Sequence, residues 1–564
     1  MRTLPSPPDV SEPVRASTRR ADAISLAIVA LVFALPLRGL LRAPGPPMEE
    51  GFMLVFPELV LHGAIPNKDF LHLYGPGSLW ALAGAFKVFG VSLLTERLFG
   101  LGQQLAIVFG VYAIARRSGR VVAACGAVTS ALVIIPFGLT ALAWVGGVGL
   151  GVVGLALGLR ARERPGDDPG ERGARRLALG AGLLLGIAVL FRLDLVIAVG
   201  LSTFALSRGM SRPRVERLLT GIGVGIAPYV IQVATAGVGN AVRGMVLDPV
   251  FHLRGGRGLP IPPPWSHVDG FLQRAGLLQQ LRWPIPSPHA SEQLFLWFFL
   301  LLAVVAFLVL VGWRAVRADR DSLRARALLV GALFSLGCMP QALQRVDSAH
   351  FAWVSAVPFG LLPAALLELG CRAAPRISPR RLAVGAGAAV LALVILVLPA
   401  FTATRYADYT LQSFGVHRHS YKIEHDGRTF YYGKQDRATA AQLVVDAAAR
   451  ISRPGERLFV GPGDLRKTPY SDAYLYYLLP DLTPATYYIE MDPGVANTAT
   501  SGLDRQLASA DIVILSKIWD DWSEPNDSRK FGSDKPVQVL ARDFCHVGTY
   551  LNLYELYRKC HELR

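Results

Sequence analysis

The stretch PMEEGFMLVFPELVLHGAIPNKDFLHLYGPG, residues 47–77, directly follows an apolar run that is typical of a membrane helix. It carries four carboxylates, two histidines and one lysine. Two of the acids, Glu49 and Glu50, are adjacent in the sequence and lie a few residues after the end of this run. A solvated loop is the usual explanation for charge beside a membrane helix, so the rest of the chain has to decide whether this pair is functional.

The overall composition indicates a polytopic membrane protein. The chain has 564 residues, of which 52% are hydrophobic, and its mean hydropathy is +0.37. This is too apolar for an ordinary soluble protein. The net charge of +16 would suggest nucleic-acid binding in a soluble protein. Here most arginines lie in short connections between apolar runs, as the positive-inside rule requires, and we expect no nucleic-acid partner.

Run lengths and arginine placement predict the topology. The apolar runs can be assigned to about 11 transmembrane helices. Arg15, Arg19 and Arg20 precede the first run, which lacks a small-residue cleavage site after it, so this run is interpreted as a signal anchor with a cytoplasmic N-terminus. An odd number of spans places the C-terminal region outside. The predicted units are a cytoplasmic tail (1–22), a transmembrane domain (23–401) with external loops (43–93 and 236–293), and an extracytoplasmic domain (402–564).

The C-terminal region changes to a mixed polar composition. Three short apolar segments, RLFVGP, ATYYIEM and DIVILS, alternate with the helix-like DAYLYYLLPDL and LDRQLASA. This βαβαβ order predicts a small α/β domain with a parallel sheet. Cys545 and Cys560 both lie in this region, where an oxidising compartment would allow them to form a disulfide.

Ionisable residues gather at the predicted external boundary of the membrane. Such groups cost free energy near lipid, so a cluster on one face is a functional hypothesis by default. Carboxylates can act as general bases for a hydroxyl nucleophile, and the planar arginine fork suits phosphate oxygens. The cluster therefore favours a lipid-phosphate substrate. Its members are Glu49, Glu50, Lys68, Asp69, His72, Arg192, Asp194, Arg345, Asp347 and His350.

The order of these motifs resembles the GT-C superfamily of membrane glycosyltransferases, which includes protein O-mannosyltransferases and bacterial arabinosyl and aminoarabinosyl transferases. Members place an acid or acid pair after the first span, then a juxtamembrane helix, a G-x-x-P turn and a Y-G-P type turn. Here these are Glu49 and Glu50, GFMLVFPELVLH, GAIPNKDF and LYGPG. The resemblance covers about residues 23–400. It implies a mainly helical GT-C-like fold, a polyprenyl-phosphate sugar donor and a role in building the cell envelope.

The function expected from this resemblance is inverting transfer of a sugar. The donor would be a polyprenyl-phosphate sugar, and the acceptor a hydroxyl of a glycan, lipid or protein on the extracytoplasmic face of the cell membrane. The carboxylate of Glu50, alone or together with Glu49, is expected to deprotonate the acceptor, and which of the two acids is the base is open. The predicted catalytic residues are Glu50, Glu49 and Asp69; the predicted donor-phosphate ligands are Arg345, Arg192, Lys68 and His350; and the predicted substrate contacts are Tyr74, His72 and Asp347.

Each assignment has a structural alternative. Glu50 could be a helix-start carboxylate favoured by the helix dipole, and Asp69 could bond its own backbone in a turn. Arg345 could extend its side chain from the end of a span to the interface. No Cys/His spacing resembles a zinc site, so no metal ligands are predicted and no cofactor is assigned, while a requirement for a divalent cation stays open.

A rival function for the whole chain is a transporter or flippase of a lipid-linked saccharide. It would also need arginines for phosphate. Transporters place their ionisable residues near the bilayer midplane on broken helices, whereas this sequence gathers them at one boundary. The pattern therefore favours the glycosyltransferase.

Overall fold

The computed structural model describes residues 11–164, 168–270, 283–416, 419–468, 470–520 and 524–560. Within these ranges ten helical segments are long and apolar enough to cross a membrane. The chain is therefore a multi-pass membrane protein, as its composition predicted. The ten segments are Ala21–Leu40, Leu93–Ser118, Arg120–Phe137, Ala143–Glu163, Gly170–Phe191, Arg212–Ala236, Ala290–Ala318, Leu323–Gln344, Ser348–Ala373 and Pro379–Val397.

The remaining one of the 11 predicted spans, the sixth in chain order, is present as a shorter helix, Leu193–Ser207. At 1.5 Å per residue its length is roughly 22 Å, less than the ~30 Å hydrocarbon core of a bilayer. The polar pair that precedes and begins it, Arg192 and Asp194, shortens the apolar run at this end.

In chain order, the described residues form the following helices. They are α1 (Ser11–Ala34), α2 (Leu37–Leu40), α3 (Glu49–Leu61), α4 (Pro76–Phe89), α5 (Leu93–Ala115), α6 (Arg120–Ile134), α7 (Ala143–Glu163), α8 (Asp168–Phe191), α9 (Val196–Ser207), α10 (Arg212–Ile226), α11 (Tyr229–Ala236), α12 (Val238–Val242), α13 (Leu253–Arg257), α14 (Ala290–Ala318), α15 (Leu323–Gln344), α16 (Ser348–Ala373), α17 (Pro379–Val397), α18 (Ala403–Ser413), α19 (Gln435–Ile451), α20 (Tyr474–Leu478), α21 (Leu503–Ala508) and α22 (Lys535–Asp543).

The stretch 47–77 contains the helix α3 and the first two residues of α4. Neither helix is among the ten long apolar segments. The first, α3, is the predicted juxtamembrane helix, and all nine of its residues from Glu49 to Pro57 are buried. The second, α4, starts where the sequence signals it: Gly75 is its extended N-cap and Pro76 its first residue, a position that suits the fixed φ of proline. The long external loop predicted at 236–293 contains α11 in part, α12, α13 and a π-helical turn; its residues 271–282 lie outside the described ranges.

The C-terminal region is an α/β domain, but its sheet is mixed. The strands are β1 (Tyr421–His425), β2 (Arg428–Tyr432), β3 (Arg457–Pro462), β4 (Thr483–Pro484), β5 (Ile512–Ser516), β6 (Phe544–Tyr550) and β7 (Tyr554–Lys559). The five-stranded sheet has the order β4-β3-β5-β7-β6. The pairs β3–β4 and β3–β5 are parallel, whereas β5–β7 and β7–β6 are antiparallel.

Two predictions about this sheet were wrong. An all-parallel sheet was expected because the terminal hairpin β6–β7 was not recognised: its turn uses Leu551 and Asn552 at positive φ in place of the usual glycine. The segment ATYYIEM is not a strand. Only Thr483 and Pro484 pair with β3, and the backbone reaches positive φ at Met491.

The terminal hairpin carries the predicted disulfide. Cys545 lies on β6, opposite Arg558 of the neighbouring strand, and Cys560 follows the end of β7. The two cysteines are bonded, with a Cα–Cα distance of 4.9 Å. The predicted pairing is confirmed.

The core places the domain directly against the acid-bearing helix. One buried cluster contains Phe52 and Phe56 of α3 together with Tyr470, Tyr474 and Trp519 of the C-terminal domain. Helix α3 thus packs under the domain, and its first turn lies between the membrane helices and the sheet domain. Residues from distant parts of the sequence meet at this junction.

Candidate active site

Glu50 is held in a buried ion pair at the start of α3. Both carboxylate oxygens accept hydrogen bonds from Arg97 of α5, from Nε and Nη2, at 2.8 Å each. Glu50 is 1% and Arg97 2% exposed. Gly45 makes room for the pair, since a Cβ at this position would lie 1.5 Å from Glu50 Oε2. The carboxylate is therefore fixed, with both oxygens occupied.

Glu49, the neighbouring acid, has a different environment. The Tyr470 hydroxyl donates a hydrogen bond of 2.6 Å to Glu49 Oε2. Among the described residues no other side chain hydrogen-bonds this carboxylate, whose further donor is the backbone N–H of Glu49 itself, so one oxygen is free of a side-chain partner. Burial raises the pKa of Glu49 above its ordinary 4.5, against the opposing effects of Arg257, Tyr470 and Arg345. Glu49 thus combines a free oxygen with increased basicity.

A cavity of about 50 Å³ opens beside both acids. Its wall includes Glu49, Glu50, Arg97 and Arg405. Arg405 is 6% exposed, and its Nε and Nη2 atoms have no hydrogen-bond partner in the described part of the chain. The third guanidinium nitrogen, Nη1, makes one long contact of 3.4 Å to a backbone carbonyl. The cavity therefore presents a carboxylate with a free oxygen together with a guanidinium that has unused donors.

The C-terminal domain adds further charge next to Glu49. Arg257, at the end of α13, forms an ion pair of 3.0 Å with Asp492, and it also contacts the sulfur of Met48 at 3.6 Å. Glu490 is 1% exposed, and burial together with the charge of Asp492 raises its pKa well above the ordinary value. An arginine from the external loop and two acids from the domain thus surround the site on this side.

Arg345 connects the membrane helices to the C-terminal domain. Its Nε donates to Asp347 at 2.8 Å, and its Nη1 donates to Glu524 of the domain at 2.9 Å. Asp347 also caps α16 by accepting from the backbone N–H of His350 at 2.9 Å, and it bonds Nδ1 of the same histidine at 2.9 Å. Two carboxylates therefore already occupy the guanidinium predicted to bind phosphate.

The guanidinium of Arg192 stacks on the ring of Tyr74. Arg192 pairs with Asp194 at 2.7 Å and lies over the ring of Tyr74, 4.6 Å from its centroid, and over Trp144 at 5.3 Å. His72 contacts the Tyr74 ring edge-on at 5.5 Å. Burial lowers the pKa of His72 to about 4, so its ring is neutral at physiological pH.

Lys68 and Asp69 are exposed and lie in the turn after α3. Asp69 Oδ2 accepts a hydrogen bond of 2.7 Å from the backbone N–H of Ile65, the turn geometry given above as its alternative. The structure brings Glu49, Glu50, Tyr74, Arg192 and Arg345 to the junction, but not these two residues.

Several residues of the junction carried no prediction. Arg97 had the clearest signal, because Glu96 and Arg97 are charged residues inside an apolar helix. The others lie in loops or in the C-terminal domain, where polar side chains are ordinary. The missed residues are Arg97, Arg257, Arg405, Tyr470, Glu490, Asp492 and Glu524. Within the described ranges, no three or more His, Cys, Asp or Glu side chains are grouped so that they could hold a metal ion.

Comparisons with known proteins define the fold class. No family model matches the sequence, and no curated protein matches it. ArnT from Cupriavidus metallidurans, solved with undecaprenyl phosphate bound, superposes with a TM-score of 0.52 at 14% identity over 94% of this chain and 97% of that chain. Apo ArnT from the same organism gives 0.49 at 14% identity, over 95% and 98%. The oligosaccharyltransferase AglB from Archaeoglobus fulgidus, in complex with an inhibitory peptide and a dolichol-phosphate, gives 0.46 at 13% identity, over 93% and 72%.

The likeness to lipid-bound ArnT extends over nearly the whole of both chains. The protein therefore shares the fold of this ArnT structure, and in it the acid-bearing juxtamembrane helix lies between the membrane helices and a C-terminal α/β domain.

Proposed function

We propose that this protein is a GT-C-type glycosyltransferase that moves a sugar from a polyprenyl-phosphate donor to an acceptor hydroxyl, with inversion, on the extracytoplasmic face of the membrane. The fold supports this proposal, because the superposed ArnT structure holds undecaprenyl phosphate. The observation that carries it is the buried Glu49 carboxylate, which has Tyr470 as its one side-chain hydrogen-bond partner among the described residues and lines a cavity shared with Arg405.

In this proposal Glu49 is the general base. An oxygen of its carboxylate takes the proton of the acceptor hydroxyl while the oxygen of that hydroxyl attacks the anomeric carbon. The bond from this carbon to the phosphate oxygen breaks on the opposite side, and its electron pair leaves with the lipid phosphate. A raised carboxyl pKa strengthens the base near neutral pH. Glu50, whose two oxygens are occupied by Arg97, positions α3 and remains the second candidate for the base, whereas Asp69 lies in the exposed turn after α3, away from the cavity.

Arg405 is the cation best placed to hold the donor phosphate. The leaving lipid phosphate gains negative charge in the transition state, and positive charge fixed beside it lowers the barrier. Arg405 has two guanidinium nitrogens without partners, whereas carboxylates pair with Arg345 and Arg192. Arg345, Arg192 and His350 are proposed as further donor contacts and Tyr74, His72 and Asp347 as substrate contacts beyond the lining of this cavity, whereas Lys68 lies in the exposed turn after α3.

Two features support the extracytoplasmic placement. The arginine-rich connections predict one cytoplasmic face. The α/β domain, which the span count predicts on the opposite face, carries the Cys545–Cys560 disulfide, a bond typical of an oxidising compartment.

The test is release of the lipid phosphate. Purified protein is incubated with a panel of polyprenyl-phosphate sugars and hydroxyl acceptors, and free polyprenyl phosphate and glycosylated acceptor are measured together. The proposal expects the two products in equal amounts for at least one pair. Movement of intact lipid-linked saccharide across vesicles containing the protein, with neither product formed, would establish the transporter instead.

A further inference from the structure

A second cavity lies in the membrane-spanning part of the protein, between α9, α14 and α15. It has a volume of about 590 Å³. Helix α15 forms its floor with Leu329, Leu333 and Leu336, while Phe204 of α9 and Trp313 of α14 form two of its walls. We call this cavity the α9–α14 groove.

The helix α9 runs along the groove. Arg326 of α15 donates a hydrogen bond to the backbone carbonyl of Ala205 of α9, and Gly337 of α15 packs against Ala198 of α9. Residues of α9 and α14 therefore face each other across α15 and enclose the groove.

One end of the groove carries positive charge. Arg208 follows the last residue of α9, and Arg326 lies in the first turns of α15. Arg326 is 8% exposed, and its buried Nε has no partner in the described residues. Its Nη1 and Nη2 donate only to the backbone carbonyls of Ala205 and Arg320, at 3.3 and 3.2 Å. No described carboxylate forms an ion pair with Arg208 or Arg326.

Nearby charges leave this end cationic. Arg162 is close enough to interact electrostatically with Arg326, and the acid that acts on Arg326, Asp321, does not pair with it. A buried guanidinium next to lipid is costly unless an anion offsets its charge. Among the described residues, no carboxylate pairs with the guanidinium of Arg326 or of Arg208 to offset its charge.

The length of the groove fits one leaflet of a bilayer. From Arg326 to Leu336 the floor helix rises ten residues, or roughly 15 Å, which is half of the ~30 Å hydrocarbon core. A cation at the interface followed by about 15 Å of apolar cleft matches a phosphate headgroup followed by an acyl chain.

We propose that the α9–α14 groove binds an anionic phospholipid, with its phosphate on Arg326 and Arg208 and one acyl chain against α15. By the direction of the helices, this site lies at the opposite end of the bundle from Glu49. It is independent of the proposed glycosyl transfer.

The test is lipid binding by delipidated full-length protein, measured by native mass spectrometry. Phosphatidylglycerol is compared with phosphatidylethanolamine. The proposal expects phosphatidylglycerol to bind tighter. It expects Arg208→Gln to weaken this binding roughly fivefold and Arg326→Gln to weaken it at least as much. Ala306→Trp places an indole in the groove from an exposed position and should also weaken binding.

Two controls keep the test decisive. Arg380→Gln removes an exposed arginine at the same end of the bundle but outside the groove, and it should bind like wild type. Arg326→Lys keeps the positive charge and should retain lipid binding. It therefore tests the role of this charge even where Arg326→Gln folds poorly. Equal affinity for the two lipids, or wild-type binding by both Arg208→Gln and Ala306→Trp, would overturn the proposal. Displacement of the lipid by an equal concentration of inorganic phosphate would also overturn it, because a headgroup contact alone would then explain the binding.

Discussion

The hydroxyl of Tyr470 donates a 2.6 Å hydrogen bond to Glu49 although 421 positions separate the two residues in the chain. The contact joins the C-terminal domain to the first turn of the juxtamembrane helix. It makes the domain part of the candidate active site, and it leaves one Glu49 oxygen free to accept a proton.

This hydrogen bond predicts a pH effect. A bond donated to the charged carboxylate lowers the pKa of Glu49, so Tyr470→Phe should raise it. Because the base acts when it is deprotonated, the acidic limb of the kcat profile should move to higher pH in the variant. Tyr487→Phe, at a tyrosine whose hydroxyl donates to the backbone oxygen of Asn67, is the matched control. An acidic limb that stays in place or moves to lower pH in Tyr470→Phe would contradict the role of Glu49.

The buried pair Glu50–Arg97 predicts a large effect on stability. Glu50→Gln leaves the Arg97 charge buried without its partner, which should cost about 3–5 kcal/mol of unfolding free energy. Glu58→Gln breaks a similar bidentate pair with Arg428, in which the Glu58 side chain is 17% and the Arg428 side chain 16% exposed, and it should cost less because water can still reach the Arg428 charge. Thermal unfolding of both variants in the same detergent measures the difference. Equal costs would contradict a structural role for the Glu50–Arg97 pair.

The two Arg405 nitrogens without hydrogen-bond partners, Nε and Nη2, predict a donor-binding defect. Arg405→Gln removes a charge-assisted hydrogen bond to the donor phosphate and should weaken donor binding by about 1.5–3 kcal/mol, or roughly 10- to 150-fold. Lys87→Gln, at an exposed lysine near the end of α4, is the matched control. The dissociation constant of a polyprenyl-phosphate analogue is the measurement. Unchanged affinity in Arg405→Gln would mean that the donor phosphate binds at Arg345 or Arg192 and not at Arg405.

The span count predicts the side of the membrane on which each segment lies. Reporter fusions after Leu41 and after Thr402 should register outside the cytoplasm, and fusions within residues 165–176 should register inside. A cytoplasmic signal from the fusion after Thr402 would place the α/β domain on the wrong side for the proposed reaction.

Local sequence patterns were sufficient for the membrane helices and the juxtamembrane helix. Apolar runs, arginine clusters and the Gly75–Pro76 start of α4 can each be recognised within a short window of the sequence. The sixth span was predicted but is short, because Arg192 and Asp194 limit its apolar length.

Contacts between distant segments were not predictable in the same way. Glu50 and Arg97 are 47 positions apart, and Arg345 and Glu524 are 179 apart; no local pattern connects such pairs. The sequence could not tell the occupied Glu50 from the freer Glu49, because adjacent residues on a helix point in different directions.

The central claim is that Glu49 removes the proton from the acceptor. Glu49→Gln keeps the size of the side chain and its contact with Tyr470 but removes its basicity, so single-turnover release of polyprenyl phosphate should fall by about 10²- to 10⁴-fold while donor binding persists. Glu58→Gln, which changes a glutamate of the same helix outside the cavity, should retain turnover. A folded Glu49→Gln protein that releases polyprenyl phosphate at the wild-type rate would contradict the account.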